Sequence, residues 1–260
     1  MARWRLIESR FGDACWNMAV DEALLTHFAP GPWDGVLRIY GWKPPAISLG
    51  YFQSVEPPAG SESACGGRLP TVRRLTGGGA IVHGNDLTYS VCVPVKGLSG
   101  RQASLRLYAD MNRATVKALA LLGVAAHERG AGRREVPDAP FLCFARESAY
   151  DVVVRGAKVA GGAQRRRRGV ILQQGSIALS DDGTAPGMTS VAAALGRSAS
   201  FAEVRQALTE AVQRAFGVEL VSSDLTAPEQ RTAAKLARDK YPSDAWNWLK
   251  KFEKKVVALT

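Results

Sequence analysis

Two spacings of apolar residues alternate along the chain, one near 3.6 and one near 2, and they divide it into helices and strands. Met18 to Phe28 carries Met18, Ala19, Val20, Ala23, Leu24 and Leu25 on most sides, which predicts a buried helix ended by Pro30 and Gly31-Pro32. Short β-type runs follow at Val36 to Tyr40, Ile47 to Tyr51, Thr71 to Leu75, Ala80 to His83 and Leu87 to Val93, separated by turns containing Pro or Gly. Leu105 to Leu122 predicts a helix with Leu105, Ala109, Val116, Leu119 and Ala120 on one stripe, and Asn112 falls on that stripe. A polar loop runs from Gly130 to Pro140. Strands are then expected at Tyr150 to Val154, Lys158 to Gly161 and Val170 to Leu179, with Arg155-Gly156-Ala157 turning a hairpin between the first two. Phe201, Val204, Leu208, Ala211, Val212 and Ala215 mark an amphipathic helix. Two more helical segments are expected near Pro228 to Asp239 and Ser243 to Leu259. There is no internal repeat. The elements add up to an α/β or α+β domain with a mixed sheet over residues 1–222, and a helical C-terminal extension over 223–260.

Length and composition fit that reading. A chain of 260 residues, 46% hydrophobic and 22% charged, has the makings of a soluble domain with a sizeable core. Its first residues lack the apolar run of a secretory signal, and the longest apolar stretch, Ala118 to Ala126, is too short to span a bilayer. Cys15, Cys65, Cys92 and Cys143 show no paired metal-ligand spacing, so reduced thiols, a cytoplasmic location and no bound metal are expected. The formal net charge of +10 favours an acidic partner, whether nucleic acid, an anionic membrane surface or a protein.

Four places have chemical potential. In Arg73-Arg74-Leu75-Thr76-Gly77-Gly78-Gly79-Ala80 a strand runs into three glycines, whose bare amides can form a nest for a phosphate or a polarised carbonyl beside two arginines. The same residues also suit a plain flexible hairpin. No Gly-Lys-Ser/Thr follows, and a strand rather than a helix comes next, so neither a Walker loop nor a dinucleotide fingerprint is present. Lys158 lies in an apolar, glycine-lined strand; it stands either on a solvated face or as a fixed ammonium opposite a developing negative charge. Cys143, between the polar loop and a strand, is either a small apolar filler or a thiol whose thiolate a nearby ammonium favours. Arg165-Arg166-Arg167-Arg168 reads as a solvated loop or as a docking patch for an acidic protein. The interleaved aromatics of a single-strand nucleic-acid binder are missing around it.

Taken in order, these motifs resemble a known superfamily. Arg73-Arg74-x-Thr76-Gly77-Gly78-Gly79-Ala80-x-x-His83 is similar to the acyl-binding loop of lipoate–protein ligase A and its octanoyltransferase relatives, and Leu87-Thr88-Tyr89-Ser90 to the strand after it. Gly156 to Gln164, containing Lys158, Gly161, Gly162 and Ala163, resembles the family's Gly-x-Lys-x-x-Gly-x-Ala segment, and Val170 to Ile177 its following strand. Asn17 to Leu25 resembles the first helix, and Lys240-Tyr241-x-Ser243-x-x-Trp246-Asn247 the C-terminal signature. The resemblance implies the biotin and lipoate ligase type of catalytic domain, with a substrate site at Arg73, Arg74, Thr76 to Ala80, His83 and Gly161 to Ala163. Cys143-Phe144, Ser148-x-Tyr150 and Lys158 resemble the type-M octanoyltransferases, in which the cysteine carries the acyl group and the lysine assists it. Gly79 is instead ligase-like, where type-M enzymes tend to carry arginine, and His83-Gly84 lacks the usual His-Asp pair.

Two activities follow from the resemblance. An octanoyltransferase would take the acyl group from acyl carrier protein through Cys143 and pass it to a lysine of a lipoyl domain or of glycine cleavage protein H, with no cofactor. A lipoate–protein ligase would use ATP and magnesium, with Arg74, Gly79 and Lys158 on the adenylate phosphate. A basic RNA-binding protein and a biotin ligase fit the motifs less well; neither nucleic acid nor membrane is an expected partner.

Overall fold

The computed structural model describes residues 1–29, 31–54, 69–95, 97, 99–130, 148–180 and 187–251. Within them the chain runs β1 (Ala2–Gly12), α1 (Ala14–His27), β2 (Gly35–Trp42), β3 (Ala46–Leu49), β4 (Thr71–Arg73), β5 (Ile81–His83), β6 (Asp86–Pro94), α2 (Gly100–Leu121) and β7 (His127–Glu128). It continues through β8 (Val152–Val154), β9 (Ala157–Arg167), β10 (Val170–Ala178), α3 (Val191–Leu195), α4 (Phe201–Phe216), β11 (Val218–Ser222), α5 (Ala227–Asp239) and α6 (Asp244–Asn247). Eight strands form a mixed sheet in the order β11-β1-β2-β6-β10-β9-β8-β7, and three form a small second sheet, β4-β3-β5. The strands beside β1 run parallel to it, and the remaining pairs of the large sheet are antiparallel. This is the mixed-sheet α/β architecture expected from the sequence.

Both faces of the large sheet are covered. On one, Leu37, Ile39, Val91 and Ile171 pack with Met111 of α2 and Leu208 of α4. On the other, Val36, Tyr40 and Leu172 pack with Val20 and Leu24 of α1 and Leu236 of α5. A strand between two helical layers reads as continuously apolar rather than alternating, and every residue of β2 is buried. The polar residue within β2, Arg38, is therefore committed to ion pairing: its Nη1 donates to Asp21 Oδ1 at 2.7 Å, and its Nη2 to Asn17 Oδ1 at 2.9 Å. The Asp21 carboxylate also accepts from Ser90, Tyr40 and Gln174, at 2.6–2.8 Å.

Several boundaries differ from the sequence expectation for identifiable reasons. Helix α1 begins at Ala14, not Met18, because the Asp13 carboxylate caps it by accepting from Trp16 N–H. Asn112 sits on the apolar stripe of α2 because its amide donates to Tyr150 O across the packing interface. Strand β1 was not expected, since Arg3, Arg5 and Glu8 break its pattern. Arg5 is buried there through a bidentate pair with Glu229, far along the sequence, at 2.7 and 2.9 Å. The Arg155-Gly156 hairpin is present, with both residues at positive φ, but β9 runs on past Gly161 to Arg167.

The C-terminal segment from residue 223 is fastened to β1 and α1. Besides Arg5–Glu229, the carboxylate of Glu22 in α1 accepts from Lys240 Nζ at 2.6 Å and from Tyr241 Oη at 2.8 Å. The expected final helix from Ser243 is a short turn, α6, and residues after 251 lie outside the described set.

Burial by itself would raise the Glu229 carboxyl, but hydrogen bonds from Arg5 and Thr226 and the charge of Arg5 outweigh it and hold the group below the ordinary range. A depressed carboxyl stabilises the fold above its unfolded-state pKa, and that contribution disappears as pH falls through the folded value. Glu229→Gln should therefore lower the unfolding free energy at pH 7 by about 2 kcal/mol. In urea melts at successively lower pH, the gap between wild type and variant should close below about pH 4.

Candidate active site

Strands β9 and β10 meet α1, β2 and the small sheet around a crevice of about 440 Å³, part of it open to solvent. Met18, Tyr40, Trp42 and Ile81 give it apolar walls, and Lys158 and Arg74 bring positive charge to its lining.

Lys158, near the start of β9, is only 3% exposed, so it does not stand on a solvated face. Its Nζ lies 2.8 Å from Asp151 Oδ1, inside a shell where an unpaired ammonium would be strongly disfavoured. The other oxygen of Asp151 accepts from the Ser148 backbone N–H at 2.8 Å. One carboxylate thus holds both the lysine and the backbone at Ser148. The lysine tip is shaped from the far side by Gly161, where a Cβ would lie 2.8 Å from Lys158 Cε and 3.1 Å from its Nζ. Gly161, Gly162 and Ala163 all line the crevice.

The glycine turn is built by the two arginines before it, which have different tasks. Arg74 lines the crevice, and its guanidinium donates to the carbonyls of Ser48, Gly77 and Gly79 at 2.6–2.8 Å. Arg73 faces away from the crevice and is fully buried. It donates to the carbonyls of Gly50, Gln53 and Asn247, at 2.7–2.8 Å. Arg73, expected beside the nest, is not among the crevice-lining residues, and its Nε and Nη1 hold the backbone beneath the turn. The extension grips the same residue: Asn247 Oδ1 accepts from Arg73 N–H, and Trp246 Nε1 donates to Arg73 O, both at 2.8 Å. Gly78 takes φ 87°, and its carbonyl packs so closely on Gly50 that a side chain there would collide with it. Thr76 Oγ1 donates to Gln174 Oε1 at 2.6 Å, and Gln174 in turn donates to Asp21, tying the turn to the buried polar centre. Thr76, Gly77, Gly78, Gly79 and Ala80 are not among the lining residues.

His83 does line the crevice, stacked on Trp42 with ring centroids 3.9 Å apart. Its Nε2 is 2.8 Å from Ser48 Oγ, and its Nδ1 is 2.8 Å from Asp86 Oδ2. The His-Asp partnership missing from the His83-Gly84 dipeptide is thus made in space by Asp86. Burial would raise the Asp86 carboxyl, but the charge of His83 and hydrogen bonds from His83, Ser176 and the Gly84 N–H bring it below the ordinary range.

Cys143 and Cys65 lie outside the described residues. Neither of the described cysteines lines the crevice. Burial, then the charge of Asp13, pushes the Cys15 thiol up to about 11. Burial, with Asp21 and Glu229 adding to it, holds Cys92 well above the ordinary thiol range. Sequence reasoning missed Asp151 because a register shift between Val152 and Val153 pairs Val152 with Ala160 and so sets residue 151 near Gly161 and the lysine.

Residues 13–186 match the lipoyl protein ligase A/B catalytic domain. The chain is 38% identical to an octanoyltransferase LipM of Symbiobacterium thermophilum, with 95% of this chain and 98% of that protein covered. It is 36% identical to an octanoyltransferase LipM of Kyrpidia tusciae, covering 96% and 100%. In fold it is similar to the bipartite lipoate protein ligase of Thermoplasma acidophilum, with a TM-score of 0.78, 23% identity, and 98% and 100% of the two chains covered.

The Lys158–Asp151 pair should behave as a coupled unit. Lys158→Met and Asp151→Asn, each leaving the other partner buried, should each reduce unfolding free energy by about 3 kcal/mol. The double variant should lose less than the sum, and a urea-melt double-mutant cycle measures the difference.

Proposed function

The chain belongs to the lipoyl protein ligase A/B catalytic domain family, and on that footing we propose that it is an octanoyltransferase of protein lipoylation acting in the cytoplasm. It moves an octanoyl group from acyl carrier protein, by way of a Cys143 thioester, to a lysine of a lipoyl domain or of glycine cleavage protein H. The observation that carries this reading is the buried ammonium of Lys158. It is held on a glycine-lined crevice wall by a carboxylate that also anchors the chain a few residues after Cys143.

In the first half-reaction the Cys143 thiolate attacks the carbonyl carbon of the octanoyl thioester. The negative charge that gathers on the carbonyl oxygen is stabilised by Lys158, whose field is strong because water is excluded around it. The carbon–sulfur bond to the carrier breaks, and the carrier leaves as a thiol after taking up a proton. In the second, the neutral amine of the acceptor lysine attacks the acyl-cysteine. A carbon–nitrogen bond forms, the amine loses a proton and the Cys143 thiolate departs. Thioester exchange is nearly balanced and the amide is downhill, so this sequence has no need of ATP. The apolar walls at Met18, Tyr40, Trp42 and Ile81 suit a hydrocarbon chain. The guanidinium of Arg74 is bonded to the turn's own carbonyls, an arrangement that favours a shaping role over the phosphate binding required by an adenylating ligase.

Mixing the protein with octanoyl-acyl carrier protein should add one octanoyl group to the peptide containing Cys143, seen by intact-mass and peptide mass spectrometry. Cys143→Ala should abolish both the adduct and transfer. Full transfer activity in that variant, or AMP release from free acid and ATP, would select the ligase chemistry instead. Gly161→Ala, which crowds the lysine tip and its ion pair with Asp151, should slow transfer by about 10- to 100-fold and lower the unfolding free energy by about 1–3 kcal/mol in urea melts.

A further inference from the structure

The second half-reaction releases a proton, and among the described residues the crevice lining offers one group suited to take it. As the carbon–nitrogen bond forms, the nitrogen of the attacking amine becomes cationic, and its N–H turns strongly acidic in a crevice already lined by two cations. Four titratable side chains line that crevice: Tyr40, Arg74, His83 and Lys158. The guanidinium of Arg74 and the ammonium of Lys158 have donors only. Tyr40 already gives its hydroxyl proton to Asp21, and burial, then the charge of Asp21, pushes its ionisation well above the ordinary phenol range. The nearby Asp151 is engaged by Lys158 and the Ser148 N–H. Imidazole is the side chain of the set whose kind changes charge near neutral pH.

The surroundings of His83 set it up as an acceptor. Asp86 Oδ2, 2.8 Å from its Nδ1, also accepts from Thr88 and Ser176 at 2.8 and 2.7 Å, so three donors hold this carboxylate in place. It takes the Nδ1 proton as its hydrogen bond, which leaves the Nε2 lone pair facing Ser48 Oγ at 2.8 Å. The Ser48 hydroxyl then donates to Nε2. Its oxygen has two acceptor sites, of which Arg74 Nη1 fills one at 3.0 Å. Among the described residues the second has no donor, and Ser48 lines the crevice. The ring of His83 lies flat on Trp42, 11° between the planes, a contact that favours a cationic imidazolium. Trp42 is itself fixed by donating from Nε1 to Thr88 Oγ1 at 2.8 Å. Serine, histidine and carboxylate thus stand in the order of a proton relay, with Ser48 from β3, His83 from β5 and Asp86 from β6.

We propose that Ser48, His83 and Asp86 are the proton relay of the second half-reaction, with Ser48 Oγ as the atom that touches the attacking amine. The amine lone pair forms the carbon–nitrogen bond, and the carbon–sulfur electron pair leaves with Cys143 as a thiolate. The amine proton passes to Ser48 Oγ while the proton of Ser48 passes to His83 Nε2. The resulting imidazolium, paired with Asp86, returns its proton to water before the next turnover. Lys158 keeps its protons throughout and stabilises the oxyanion. The first half-reaction needs no such acceptor, because one thiolate replaces another. This rests on the octanoyl-transfer reading and assigns the proton that its amide-forming step sets free.

The two half-reactions can be timed separately by intact mass: the enzyme is acylated with octanoyl-acyl carrier protein, freed of donor, and then mixed with a lipoyl-domain acceptor. His83→Gln should slow the transfer step by about 100- to 1000-fold and acylation of Cys143 by no more than about 3-fold. Ser48→Ala should show the same split, with a transfer step slowed about 10- to 100-fold. Hydroxylamine, which cleaves thioesters unaided, should discharge the wild-type and variant acyl-enzymes equally fast. An unaltered transfer step overturns the proposal. So does an equal slowing of both half-reactions or a matching loss with hydroxylamine, each of which marks a disturbed crevice, and so does an octanoyl group on Ser48 in peptide mass spectra. If His83→Gln does not fold, the comparison with Ser48→Ala decides. Absence of a Cys143 adduct in wild type sinks the octanoyl-transfer reading and the relay with it, whereas a normal adduct with unaltered transfer in both variants sinks the relay alone.

Discussion

A single buried carboxylate, that of Asp21, holds the sheet beside the crevice and the glycine turn to one frame. Four donors converge on it, from Arg38 of β2, Tyr40 of β2, Ser90 of β6 and Gln174 of β10. With 1% exposure it has no solvent to fall back on, so each donor is held to a narrow geometry. Gln174 passes the constraint to Thr76, and through it to the glycine turn. The next residue along α1, Glu22, faces the extension and secures Lys240 and Tyr241. Two adjacent acids on a buried helix thus set the relation between sheet, turn and extension, which is why an apolar helix in the heart of the fold contains them.

The crevice combines two environments that are hard to keep together. Its walls are apolar enough to receive a hydrocarbon chain, yet it contains an ammonium. Asp151 makes that compatible, and the strength of the resulting field comes from the same exclusion of water that would otherwise expel the charge. The turn beside it is braced for a comparable reason: its Gly77 and Gly79 carbonyls accept from Arg74 from within and its base is held by Arg73 from below. Donors and charges already in place need no reorganisation when an oxyanion appears.

Much of this could be read from the sequence, and what could not has a common cause. The helices with clean apolar stripes, α4 above all, and the hairpin at Arg155-Gly156 announce themselves through local pattern. Of the segments that carry the resemblance, Arg74, His83, Lys158 and Gly161 to Ala163 line the crevice, while Arg73 and Thr76 to Ala80 do not. What escaped notice depends on partners remote in sequence. Arg5 disguises β1 until Glu229 is seen beside it, and Asn112 looks misplaced until Tyr150 O is found across the packing interface. Arg73 and Arg74 look alike in a motif, yet one faces the crevice and the other the extension. Pattern records which side chains are apolar; it does not record which polar groups will meet.

The grip of Trp246 and Asn247 on Arg73 has a bearing on how the enzyme comes into being on the ribosome. The strand entering the glycine turn is made early, but the residues that clasp its edge are translated some 170 positions later. Arg5 likewise waits for Glu229 across more than 200 residues. Contacts this distant close late, after most of the sheet has had time to pair. A nascent chain can therefore assemble its helical layers and still lack a finished glycine turn, which waits for α6 rather than for Lys158.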